Sequence, residues 1–302
     1  KYPNSKLYVM GNHINKEILH GNTDVDEYIV NNTGVFKLAK KIKKENFDFA
    51  CTTTPDFHSL AVCFLAGIPF ITTPVVKNGY SPYETKSYKI LQKLVIVKPH
   101  FMRQYAPREY LRLLEPIGIF TDKTDKHLVC SKNAKEKIKK LFNINKINKG
   151  DLLVGLTPTA GNKIKKWPEE RFAKIIDYLY EKHKAKIFII GGPNDKDEID
   201  KTINYLKPNT KTIRVIDLSI DELKAFISKL NLFIAVDTGP IYIAEAFNIP
   251  TVDIIGPVDE HEQPPIGKLH KIVKIPDIVN SEIHIMNSRI YNKEEARRQV
   301  EE

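Results

Sequence analysis

Five short apolar runs in the second half of the chain limit the folds open to it. They are DLLVGL from Asp151, AKIFIIGGP from Ala185, TIRVIDLS from Thr212, NLFIAV from Asn231 and TVDIIGP from Thr251. Continuous apolar runs this short read as strands buried on both faces. Helical periods separate several of them. PEERFAKIIDYLYEKH opens with Pro168 and two glutamates in its first turn, which suits the helix dipole, and carries a core stripe of Phe172, Ile175, Ile176 and Leu179. SIDELKAFISKL starts with a capping box, Ser219 with Glu222 three residues on. PIYIAEAFN places Pro240 at a helix start and Asn248 at its stop. Strands alternating with helices predict an α/β fold with a parallel sheet and helices on its faces.

The first half shows the same rhythm less cleanly. Strands are expected at KLYVM (Lys6 to Met10), FDFACTTT and IPFITTP. GVFKLAKKIKKEN reads as an amphipathic helix with Phe36, Ala39 and Ile42 on its dry side and lysines in water. PDFHSLAVCFLAG reads as a helix with Pro55 in its first turn and Gly67 as its stop. Helical stretches are expected around Tyr83–Val97, Arg103–Gly118 and Ser131–Leu141. NINKINKGD is polar and aperiodic, and places a domain boundary near Lys149. At 302 residues the chain suits two domains, 1–148 and 149–302.

No run reaches the ~18 uninterrupted apolar residues of a membrane span. SLAVCFLAGIPFITTPVV comes nearest, and Gly67 and Pro69 break it. Cys51, Cys63 and Cys130 have neither zinc spacing nor a disulfide framework, which suits a reducing compartment. The chain opens at Lys1 without Met or a signal peptide's apolar core, and reads as trimmed. A net charge of +10 points to an anionic partner (nucleic acid, acidic lipid or a phosphorylated substrate) or else to a lysine-rich composition without functional meaning. No interleaved aromatics of the RNA-binding kind accompany the lysines.

Three turns at strand ends carry the chemistry. Asp237, Thr238 and Gly239 stand between the LFIAV strand and the helix that Pro240 opens. The first amides of a helix lack internal partners and favour an anion. Glycine permits close approach, and Thr238 adds a hydroxyl. The same residues also make an ordinary helix cap. The loop TPTAGNKIKKW offers Thr157, Thr159, Gly161, Lys163, Lys165 and Lys166, and could clamp a diphosphate from the opposite side or simply be a solvated loop. IIGGPND ends in Asp195, a candidate acceptor for ribose hydroxyls. Neither a Walker loop nor a Gly-x-Gly-x-x-Gly fingerprint is present. HEQPP has Pro265 where a zinc-binding helix would need its second histidine, and there is no Gly-x-Ser-x-Gly elbow.

Those three turns, in this order, resemble the C-terminal half of glycosyltransferase family 9, the heptosyltransferases of the lipopolysaccharide inner core. The family pattern HPGAS, KRWP, ERF, GGP and DTGPMHLAAALGKPVVALFGPTDP is matched here by LTPTAGNKIKKWPEERF, IIGGPND and DTGPIYIAEAFNIPTVDIIGPVDE. The match spans roughly Leu152 to Glu260. Upstream, NFDFACTTTPDFHSLAVCFLAGIPF and EYLRLLEPIGI resemble the acceptor-side domain more loosely.

The resemblance implies a GT-B fold, two Rossmann-like domains facing across a cleft, with the first strand and helix of the N-terminal domain absent from this chain. It implies an inverting transfer of a heptose-like sugar from a nucleotide-diphospho-sugar, ADP-heptose in the family. The donor is a substrate, and no cofactor or metal is implied. The acceptor would be an anionic lipid-linked saccharide docked on the basic first domain, with no nucleic acid as partner. A cytoplasmic location follows, with peripheral contact at the inner membrane. By position, Asp237, Thr238 and Gly239 match the diphosphate and sugar site, and Lys165 the donor-phosphate lysine, which would neutralise charge on the leaving group. Thr159 and Ala160 sit where the family places small or hydroxyl residues near the phosphates. Asp195 matches a ribose-binding carboxylate, and Leu218 the base-contacting position. Tyr242 replaces the family histidine. The family's catalytic Asp, in a Gly-Asp turn, would lie before residue 1. The alternatives are a non-catalytic nucleotide-sugar-binding relative, a transferase using another nucleotide sugar and, more remotely, a basic nucleic-acid-binding protein.

Overall fold

The structure is a computed structural model and describes residues 2–276 and 280–301. The N-terminal half runs β1 (Tyr8–Gly11), α1 (His13–Leu19), β2 (Glu27–Val30), α2 (Val35–Lys43), β3 (Phe49–Cys51), α3 (Phe57–Leu65), β4 (Phe70–Lys77), α4 (Lys86–Leu91), β5 (Ile96–Phe101), α5 (Ala106–Leu111) and α6 (Lys132–Ile144). The C-terminal half runs β6 (Leu153–Thr157), α7 (Glu169–His183), β7 (Lys186–Ile190), α8 (Lys196–Asn204), β8 (Thr212–Val215), α9 (Ile220–Ile227), β9 (Leu232–Val236), α10 (Gly239–Ala246), β10 (Thr251–Ile254), β11 (His270–Val273) and α11 (Lys293–Glu301). Every strand pairing within the sheets is parallel.

The C-terminal sheet has six strands in the order β11-β10-β9-β6-β7-β8. Its side chains alternate between two cores. Phe233 and Ala235 of β9 face one, with Ile241 and Ala244 of α10 and Phe226 of α9. Ile234 and Val236 face the other, with Phe172 and Ile176 of α7 and Ile199 of α8. Both faces are covered, which is why these strands read as unbroken apolar runs. Ala134 and Ile138 of α6 join the first of these cores.

The N-terminal half holds two smaller sheets, β1-β2 and β3-β4-β5. Its core gathers Leu38, Ala39 and Ile42 of α2 with Leu60 and Val62 of α3 and Tyr88 of α4. Phe36, expected on the dry side, is 81% exposed. Leu38 takes the inward place, and Phe36 sits roughly 110° round the helix from that stripe. The helical stretch expected around Tyr83–Val97 ends early, because Ile96 begins a strand in register with Thr72 of β4. Pro99 lies within that strand, and β5 is an edge, where a missing N–H is tolerated. The elements α1, β2, α8, β11 and α11 are additions to those expected from the sequence. Pro55 and Pro168 precede their helices instead of lying in the first turn, with Asp56 and Pro168 as the caps.

Among the contacts that join the halves, two are built on buried charges. The Lys224 ammonium of α9 is fully buried and donates to the carbonyls of Glu17, Ile18 and His20 at the end of α1. The Glu262 carboxylate, also buried, accepts from the Arg103 amide at 2.8 Å, the Ile285 amide at 2.7 Å and the His284 ring at 3.0 Å.

Candidate functional site

The carboxyl ends of β6 and β9, neighbours at the centre of the large sheet, bring two of the expected turns together. In open α/β sheets this edge is where ligands bind. From β9 the chain turns through Asp237 and Thr238 into α10. Thr238 is the N-cap in extended conformation, and its hydroxyl does not cap the helix. A Cβ on Gly239 would meet no atom within 4 Å, so open space lies beside Gly239 at the start of α10. Ile241 N–H bonds back to the Thr238 carbonyl at 3.1 Å.

From β6 the chain enters the long loop, with a single 3-10 turn at Lys163–Lys165. Its three lysines separate by direction. Lys163 and Lys166 turn to Glu198 of α8, at 3.6 and 3.2 Å, and Lys166 also meets Glu169 at 3.1 Å. Trp167 packs edge-on against Phe172, with centroids 5.2 Å apart, and anchors the loop to the core. Lys165 alone of the three points into the site, where its Nζ lies 2.5 Å from Asp237 Oδ2. Asp237 is 3% exposed. The other Asp237 oxygen accepts from the Tyr242 hydroxyl one turn into α10. Burial, then the Asp237 carboxylate, pushes the Tyr242 phenol far above its usual value, so it stays protonated and serves as a donor. The Lys126 ammonium lies over the Tyr242 ring, 5.9 Å from its centroid, and is paired with Glu245.

A second pair lies beside this cluster. Thr159 is buried and donates to Asp195 Oδ2 at 3.1 Å, and the same oxygen accepts the Gly192 amide at 2.8 Å. Asp195 therefore ties the β7 turn to the β6 loop. Ala160 packs on the core shared with Trp167, and Leu218 on the core of α9 and α10. The structure thus joins Lys165, Asp237 and Tyr242 directly, places Thr238 and Gly239 at the open helix end, and sets Thr159 with Asp195 one turn away.

Sequence reading passed over Asp253. It stands in β10 opposite Ala235 of β9, and a lone carboxyl inside TVDIIG was the available signal. Asp253 is 1% exposed, and neither of its oxygens has a hydrogen-bond partner among the described residues. Burial first, then the charge of Asp237, pushes its carboxyl up to about 8 against the opposing pull of Lys165.

Comparisons with known proteins bear on the fold and the family. The family model "Glycosyltransferase family 9 (heptosyltransferase)" matches residues 35–288. Lipopolysaccharide heptosyltransferase 3 of Escherichia coli K12 is 23% identical over 270 residues, 85% of this chain and 76% of that one. A glycosyl transferase family 9 structure from Veillonella parvula superposes with a TM-score of 0.76 at 18% identity, covering 90% of this chain and 77% of that one. The E. coli ADP-heptose lps heptosyltransferase II structure superposes with a TM-score of 0.73, also at 18% identity, covering 91% and 83%. With a matched family model over most of its length and the GT-B architecture of these structures, the chain belongs to glycosyltransferase family 9 and is a glycosyltransferase of the heptosyltransferase type.

Proposed function

We propose that this enzyme transfers a heptose-like sugar from an ADP-linked donor, with inversion, to an anionic lipopolysaccharide-core acceptor. The convergence of Lys165 and the open amino end of α10 on one point supports the reading most strongly. A donor diphosphate at that point meets an ammonium group on one side and the Gly239 amide at the open start of α10 on the other. The negative charge that builds on the departing nucleotide diphosphate is then stabilised where it forms. An acceptor hydroxyl, its proton taken by a general base, attacks the anomeric carbon in line. Asp237, with Tyr242 holding its other oxygen, is set to accept sugar hydroxyls once Lys165 shifts to phosphate. Asp195 uses Oδ2 for both of its recorded bonds, and its Oδ1 is assigned to the ribose. The neighbouring heptosyltransferase II, named for ADP-heptose, supports adenosine as the nucleoside.

The acceptor side rests on charge. Residues 1–148 hold 24 Lys and Arg against 13 Asp and Glu, whereas residues 149–302 hold 23 against 24. The whole positive surplus lies in the half assigned to the acceptor, as a phosphorylated lipid core at the inner face of the membrane requires. None of the described helices is long and apolar enough to cross a membrane. Tyr242 favours a second reading, a different nucleotide sugar, because a neutral phenol stands where the family pattern has histidine.

Incubation with ADP-heptose and a phosphorylated core acceptor tests the assignment by mass spectrometry. The expected product gains one heptose, with stoichiometric ADP. Lys165→Ala is expected to lower kcat/KM by about 100-fold, the loss of a charge-assisted contact to the leaving group. Full turnover by Lys165→Ala, or transfer from UDP-sugars alone, contradicts it.

A further inference from the structure

Beside the proposed donor site, the buried carboxyl of Asp253 has no cation paired with it among the described residues. Asp253 of β10 stands in register with Ala235 of β9, which shares its core with Ile241 and Ala244 of α10. Its charged and titratable neighbours are Asp237 at the end of β9, Lys165 from the loop and Tyr242 from α10, with Glu245 of α10 beyond Tyr242 and paired with Lys126. On the far strand, the His270 ring of β11 is bonded to Thr251. Lys165 is paired with Asp237, and Lys126 with Glu245. No ammonium among the described residues pairs with Asp253, and both of its oxygens are buried without a hydrogen bond. An ionised carboxylate in that position would be uncompensated, which the protein interior does not tolerate.

We propose that Asp253 is a positioning residue of the donor site, held as the neutral acid so that Lys165 serves Asp237 alone and can pass from it to a bound diphosphate. The inference rests on the donor reading above. When Lys165 moves to phosphate, Asp237 keeps only the Tyr242 hydroxyl. A neutral Asp253 beside it adds no repulsion. An ionised Asp253 would leave two carboxylates without a cation and would hold the ammonium back. Diphosphate binding therefore selects the protonated form, and ionisation of Asp253 opposes binding.

The test is the ADP dissociation constant of the whole chain at pH 7 and pH 9, by calorimetry. ADP phosphates are already ionised across this range. The wild type is expected to bind about tenfold more weakly at pH 9, the fall that one titration near pH 8 produces. Asp253→Asn, which cannot ionise, is expected to bring that ratio close to one. A merely structural Asp253 would leave the ratio unchanged by the substitution, and that result overturns the proposal. A second measurement needs no variant. Wild-type titrations at pH 8 in buffers of different ionisation enthalpy should show uptake of about half a proton per ADP, and zero uptake overturns the proposal. Failure to bind ADP at pH 7 removes the donor reading itself, whereas binding without any pH effect removes only the role of Asp253.

Discussion

Asp253 also makes a stability prediction, separate from any ligand. A carboxyl whose folded pKa is raised to about 8 binds a proton in the folded chain that the unfolded chain has already released. Folding stability therefore falls as pH rises from about 4 to about 8, by about 1.4 kcal/mol per unit for one such group. Asp253→Asn removes that slope. Its advantage over wild type in thermal unfolding should be larger at pH 8 than at pH 5, and equal advantages at the two values would count against a neutral Asp253. Tyr242→Phe acts in the opposite sense. It strips Asp237 of its second partner in a buried setting, at a cost of about 1–3 kcal/mol, readable as a lowered Tm. The pairing of Lys165 with Asp237 could not be read from the chain, since 72 residues separate them and only the β6–β9 ladder brings their turns together. The types of the two residues and the turns that bear them were legible. Asp253 was not, because one polar residue in a strand looks like any solvent-facing position until the sheet order shows both faces covered.

At the scale of elements, helices with strong local signals behaved as the sequence implied. The Ser219–Glu222 capping box forms in both directions, at 3.3 Å and 3.0 Å. Ser219→Ala should cost about 1 kcal/mol. The first half was harder to read because its elements are short and share apolar runs. Leu94 to Val97 continues the preceding helical period, and pairing with β4 decided that Ile96 begins a strand. Phe36 erred for a related reason, since a 9-residue helix leaves its phase free until Leu38 is fixed in the core. Lys224 shows the reverse case, a charged residue in an ordinary helix that is fully buried. It holds three carbonyls at the end of α1, and Asp221 lies 3.3 Å from its ammonium. A cation is favoured at that helix end. Lys224→Met keeps the stem but leaves the carbonyls unpaired, and is expected to cost about 2–4 kcal/mol in denaturant unfolding. A change below 0.5 kcal/mol would show that the contact contributes nothing.

For the whole molecule, the buried Glu262 is another contact that spans the halves. Burial raises its carboxyl, but the His284 ring and the amides of Arg103 and Ile285 outweigh that and hold it below the usual range. Its contribution is present above the unfolded carboxylate value and is lost as pH falls through the lower folded value. His284 is raised despite its burial, by the same Glu262, so its part is complete below about pH 6.5 and fades as pH rises beyond the folded value. Acid unfolding of wild type should thus begin at lower pH than that of Glu262→Gln, followed by circular dichroism. The charge of the two halves is lopsided, and the proposed function would set the anionic acceptor against the basic first half, the second being nearly neutral.

The central claim is that Lys165 and the amino end of α10 grip one diphosphate. A crystal structure of the protein with ADP tests it most directly. A phosphate oxygen is expected about 3 Å from Lys165 Nζ, and another within hydrogen-bond reach of the Gly239 amide. ADP bound elsewhere, or Lys165 still clasping Asp237 with the phosphates out of its reach, would contradict the account.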